Sequence, residues 1–71
     1  MLKKRSLSLA GHATSLALEP EFWAVLEQMA AEQAVSLPEL IGQIDEQRAG
    51  SLLASACRVR ALAWMSGRAG R

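Results

Sequence analysis

A chain of 71 residues that is 51 % hydrophobic, holds a single cysteine and carries a net charge of +1 excludes an intrachain disulfide, a disordered polymer and any partner chosen on total charge. A core of this size is marginal by itself, so the excess apolar surface is expected to be buried against a second copy, as a homodimer. One histidine, no tyrosine and no Cys/His cluster of zinc-finger spacing leave few groups for nucleophilic or acid–base chemistry, so neither an enzyme nor a cofactor or metal is expected.

The charge is small in total but blocked in arrangement. Lys3, Lys4 and Arg5 open the chain, all seven acids fall between Glu19 and Glu46, and the remaining arginines begin at Arg48. The pattern predicts a basic arm over residues 1–12, an acidic middle and a basic C-terminal third. The arm serves either as a phosphate-binding element or as a solubilising tail. Its start also mimics a secretory signal, but Ser and Leu alternate and Gly11, His12, Thr14 and Ser15 interrupt the apolar run. No window reaches membrane-spanning length without a charge. A cytoplasmic protein with Cys57 as a reduced, buried thiol is expected.

Residues 6–9 alternate polar and apolar, and residues 14–18 alternate again, so both read as half-buried strands. The leucines are odd-numbered in the first run and even-numbered in the second. A continuous strand would turn its apolar face over unless Gly11 marks a bulge or bend. The first run is thus either a separate short strand or an arm leading into the second.

At Glu19-Pro20 the period becomes helical, with Pro20 suited to the first helical position. Phe22, Leu26, Met29 and Ala30 share one stripe, flanked by Trp23 and Val25, in a helix expected from Pro20 to Gln33. Ala34-Val35 is a short connection. Ser36-Leu37-Pro38-Glu39 then reads as a capping box opening a second helix, whose apolar face is Leu37, Leu40, Ile41 and Ile44 and whose end is expected near Gly50. Ser51 is expected to cap a third helix, placed over residues 51–66 with its cap, with Leu52, Ala56, Val59 and Ala63 on one side. Residues 67–71 read as a flexible tail. Trp23 and Trp64, at helical spacing among leucines, read as core or dimer interface. Arg58 and Arg60 do not share a narrow helix face and read as solvated or paired with the acidic middle.

A lone strand cannot satisfy its own backbone. If the same chain supplies no second strand, a twin must, and two strands over four helices make a shared core with residues 13–50 as its unit. The residues Lys4-Arg5-Ser6, Gly11-His12, Thr14-Ser15, Leu18-Glu19 and Phe22-Trp23, continued by Ser36-Leu37, Leu40-Ile41, Ile44-Asp45, Ser51-Leu52, Ser55-Ala56 and Arg58-Val59, resemble a bacterial ribbon-helix-helix domain family of small uncharacterised proteins. That family is related to the ribbon-helix-helix transcriptional repressors. The resemblance implies a mostly α fold with a short β-ribbon, an intertwined homodimer, and a ribbon set in the major groove of DNA; here a C-terminal helix is added.

On that reading Ala13, Ser15 and Ala17 face the bases, if Thr14, Leu16 and Leu18 face the core. Lys3, Lys4, Arg5 and His12 are further DNA-contact candidates, and the start of helix two, at Ser36 and Leu37, is the candidate phosphate site. His12 is equally a turn residue, and Ser36 equally a plain cap. Relatives often carry a basic residue at the position of Ala13 and Lys or Arg at that of Leu37; this chain departs at both. The other function class is a protein–protein module, antitoxin-like or oligomerising, that uses the third helix to hold a partner.

Overall fold

The computed structural model describes residues 1–69. Two strands, β1 (Lys3–Leu9) and β2 (His12–Leu18), precede three helices, α1 (Pro20–Gln33), α2 (Leu37–Gln47) and α3 (Leu53–Ala69). Gly70 and Arg71, the end of the expected tail, lie outside the described residues, and helix continues through residues 67–69.

The second strand of the ribbon comes from the same chain. β1 and β2 form an antiparallel hairpin around Ala10-Gly11, with Leu9 opposite His12, Leu7 opposite Thr14 and Arg5 opposite Leu16. Both turn residues have positive φ (52° and 82°), the backbone of a two-residue turn whose twist matches the flanking strands. This register explains the parity switch of the leucines. Across such a turn every odd-numbered residue meets an even-numbered one, so Leu7 and Leu9 share a face with Leu16 and Leu18. What reads along the chain as a strand turning over is one continuous apolar face once folded back. The stretch expected as an arm is accordingly strand from Lys3 onward.

That face covers the helices. β1 lies along α2, β2 along the start of α3, and α3 packs on both α1 and α2. Leu9, Leu16 and Leu18 join Leu26, Met29, Leu40, Ile41 and Ile44 in one buried cluster. In α1 the buried stripe runs through Trp23, which is 1 % exposed, while Phe22 stays at the margin. The indole is drawn in because its Nε1–H donates to the carbonyl of Lys3 at 2.8 Å, tying α1 to the first residue of the hairpin. The helix ends at Ala34 (φ 58°), where the N–H groups of Ala34 and Val35 donate to Ala31 and Ala30, a Schellman-type close made without glycine.

Helix α2 begins with half of the expected capping box: the Glu39 N–H donates to Ser36 Oγ at 3.2 Å, without the return bond from the Ser36 N–H to the Glu39 carboxylate. Ser51 does not cap α3. Its hydroxyl donates back to the Arg48 carbonyl at 2.8 Å, closing the α2–α3 turn, and α3 starts only at Leu53. Of the residues expected on one side, Leu52, Val59 and Ala63 are exposed and Ala56 is half-buried against the core; Cys57 and Ala61 are the buried ones. No helix among the described residues is long and apolar enough to cross a membrane.

Candidate nucleic-acid interface

The hairpin has an outer face of a distinct kind. Alternation sends Lys4, Ser6 and Ser8 of β1 outward, and the register sets them beside Ala17, Ser15 and Ala13 of β2. All of them are exposed except Ala17, which is half-buried. The result is a flat, two-stranded surface of small side chains, with three hydroxyls and one ammonium group. Ala13, Ser15 and Ala17 thus occupy the side expected for them. Ser6 and Ser8 complete the face and escaped the sequence reading. The signal for them was partial: Gly11 marks a turn but Ala10 does not, and only the hairpin they form places Ser6 opposite Ser15.

The cations of the N-terminus part company. Lys4 points outward. Lys3 is exposed at the strand end, and its main-chain carbonyl receives the Trp23 bond. Arg5 turns to the helices, where its guanidinium lies 4.7 Å from the Trp23 ring centre and pairs with Glu27 at 3.0 Å. The same arrangement recurs twice. Arg58 lies 5.9 Å from the Phe22 ring and pairs with Glu19 at 2.8 Å, and Arg68 lies 4.5 Å from the Trp64 ring and pairs with Glu32. Each arginine is held between an aromatic face and a carboxylate, a geometry that suits a planar cation. Arg58 holds the Glu19 carboxyl below its ordinary range, first by its hydrogen bond and then by its charge. Arg48 pairs with Asp45, and Arg60 donates to the neutral Gln47 at 2.8 Å. Among the described residues, Lys3, Lys4 and Arg60 are the basic side chains without a carboxylate partner.

His12 is the first residue of β2, exposed beside the turn. At the start of α2, Ser36 is engaged as the cap and Leu37 is half-buried against the core. The groove beside them, between that helix start and the hairpin turn, is lined by Glu39, Asp45 and Glu46 as well as Ser8 and Ser36. Carboxylates there oppose the positive end of the helix dipole and disfavour an anion. Among the described residues no group of three or more His, Cys, Asp or Glu is placed to hold a metal ion. Cys57 is fully buried and desolvation pushes its thiol up to about 11, the state of an inert packing residue.

These features define the ribbon-helix-helix class, and comparison with known proteins agrees. The sequence profile of the ribbon-helix-helix domain matches residues 2–65, and the chain belongs to that family. Its fold is similar to that of an uncharacterized protein from Bordetella pertussis Tohama I, at 33 % identity and a TM-score of 0.86. That similarity covers 99 % of this chain but 60 % of the Bordetella protein, so the chain spans less than two thirds of its neighbour's length. No protein of curated function matches.

Proposed function

We propose that the protein is a cytoplasmic, homodimeric DNA-binding regulator that sets the outer face of its hairpin in the major groove and performs no catalysis. The observation that supports this most is the outer face itself. A two-stranded ribbon fits a major groove, and here the side turned away from the core has no bulky residue to hold it off the base edges. Ser6, Ser8 and Ser15 offer hydroxyls to bases or phosphates, and Ala13 and Ala17 suit thymine methyl groups. Hydroxyls pair with either a donor or an acceptor, so this face discriminates weakly among bases and the affinity rests on charge and shape. Lys3 and Lys4 supply the charge. Arg5 supports the indole instead, so a dimer brings four strand lysines to the backbone rather than six basic residues. His12, at the hairpin tip, adds a contact at the groove wall. Ser36 and Leu37 remain structural, because acids surround that helix start.

Fluorescence anisotropy with mixed duplex DNA at low and moderate salt tests this. Binding is expected to weaken with salt along a slope of about −0.9 per phosphate neutralised. Replacing Lys3 and Lys4 with alanine should flatten that slope. Arg5→Ala should lower stability and leave the slope nearly unchanged. Absence of binding at low salt, from a protein shown to be folded, rejects the proposal. The competing class, a protein–protein module, is favoured by one observation, the exposed apolar side of α3.

A further inference from the structure

Among the described residues, Arg5, Arg48, Arg58 and Arg68 each pair with a carboxylate. Arg60 does not. Its Nη1 donates at 2.8 Å to the side-chain oxygen of Gln47, a neutral group. A guanidinium carries further N–H groups, all of them donors, and the amide takes up only one. The surroundings of this arginine are also distinct. Ala56, Val59, Arg60 and Ala63 recur by threes and fours, so they share one side of α3. That side faces the end of α2, and the two helices leave an open groove of about 310 Å³ between them, walled by Ile44, Ala56, Val59 and Ala63. Arg48 lines it too, but its guanidinium is already held by Asp45 and by the Ser51 carbonyl. Arg60 is the groove's open cation.

We infer that the α2–α3 groove is a binding site for a small amphipathic carboxylate, whose apolar body lies on Ala56, Val59 and Ala63 and whose carboxylate pairs with Arg60. The charge selects the head of the ligand. A carboxylate accepts two parallel N–H bonds from a guanidinium, and beside apolar walls such a bond is stronger than in open water. No acidic side chain lines the groove, so a cationic ligand gains nothing there. The walls select the rest. A bare inorganic anion would leave them uncovered, whereas an alkyl chain or a small ring removes them from water. The volume lies at the lower end of the range of small-molecule sites, roughly 300–1,000 Å³, and suits a short chain rather than a nucleotide. Leu52, Leu62 and Met65, exposed on or beside the same helix, lie outside the groove. Open cation and apolar wall therefore coincide only over the extent of a small molecule. Gln47 has the part of a positioning residue: it holds the guanidinium at the groove without neutralising it, which an acid in its place would do. None of the lining residues belongs to the hairpin, so the site does not depend on whether the ribbon meets DNA.

Octanoate is the probe, titrated into the isotope-labelled full chain without DNA and followed by NMR, with octanol and octylammonium as its neutral and cationic counterparts. Octanoate should shift the amides of Ala56, Val59, Arg60 and Ala63 with a Kd of about a millimolar. Octanol and octylammonium should bind at least about tenfold more weakly. Arg60→Gln should weaken octanoate about tenfold and leave octanol unchanged, and Gln47→Glu, which gives Arg60 the carboxylate it lacks, should do the same. Both variants are expected to keep the helical content of the parent by circular dichroism, because the hydrogen bond of each side chain goes only to the other. A folded chain whose groove amides do not respond to octanoate overturns the inference. Equal binding of octanoate and octanol overturns it as well, by showing an apolar patch without a choice of charge. Octanoate binding that survives both variants overturns it by placing the site elsewhere. Shifts at the same amides from an acidic amphipathic helical peptide, with none from octanoate, overturn it by giving the groove to a protein partner.

Discussion

Helices α2 and α3 spend their apolar residues in opposite directions. In α2 the large residues Leu40, Ile41 and Ile44 point inward and are at most 2 % exposed, whereas in α3 the small residues Cys57 and Ala61 point inward and Val59 and Leu62 stand out at 64 %. Both helices carry several large apolar residues, so the number of these does not separate them. Geometry does. α2 lies beneath the hairpin, where side-chain volume is needed to fill the space under the strands. α3 lies against both α1 and α2, and small residues let its backbone come close. Of the large residues of α3, Leu53 and Trp64 pack against the core only in part, and Val59, Leu62 and Met65 stay exposed. α2 thus spends its bulk inside this chain's own core, whereas α3 keeps much of its bulk on the surface.

Truncation is the strongest way to break that contrast. Trp23→Ala removes the largest buried side chain, together with its bond to Lys3 and the stacking surface for Arg5, and should cost about 3–5 kcal/mol in urea unfolding. Val59→Ala, at an exposed position, should cost less than about 0.5 kcal/mol. Comparable losses from the two would mean that α3 is packed in some other way. Next in size is Cys57→Ser, which places a hydroxyl in a fully buried site and should cost about 1–3 kcal/mol.

The thiol also sharpens the comparison through pH. Its folded value, about 11, lies above the ordinary 9.0, so the folded state keeps its proton where the unfolded chain loses it. The thiol's contribution is full below pH 9.0 and is lost as pH rises towards 11. Denaturation followed across that window should show the decline in the wild type and a flatter profile in Cys57→Ala.

A smaller, opposite effect is expected at Ala34, which closes α1 in the left-handed region. Ala34→Gly removes the Cβ strain and should stabilise by roughly 1 kcal/mol, read as a rise in the melting temperature. The smallest effect concerns Glu19. Its carboxyl is held low by Arg58, so the pair's contribution is present above the unfolded value and is lost as pH falls through the folded one. Arg58→Ala should return the Glu19 titration, followed by NMR, towards the ordinary carboxylate range.

The ribbon-helix-helix class was legible because its signals are local. The Pro20 start and Gln33 end of α1 and the cap at Ser36 each depend on a few neighbouring residues and on helical period. The candidate interface was legible by half. Ala13, Ser15 and Ala17 follow from alternation within β2, but Ser6 and Ser8 join them only through pairing across the turn. Ala10 (φ 52°) is not a residue that announces such a turn. Arg5 shows the same limit from the other direction. It stands in a row with Lys3 and Lys4, and only the position of Trp23 and Glu27 removes it from the cations open to a phosphate.

What the sequence by itself determined is therefore the three helices, their order, both ends of α1 and the start of α2, since caps, prolines and periodicity act over one or two turns. What only the tertiary structure decided is which way those elements face. α3 is apolar or small around most of its circumference, so periodicity alone selects no buried side. The choice falls to the close approach of Cys57 and Ala61 to the other helices, and that contact exists only when the whole chain is folded.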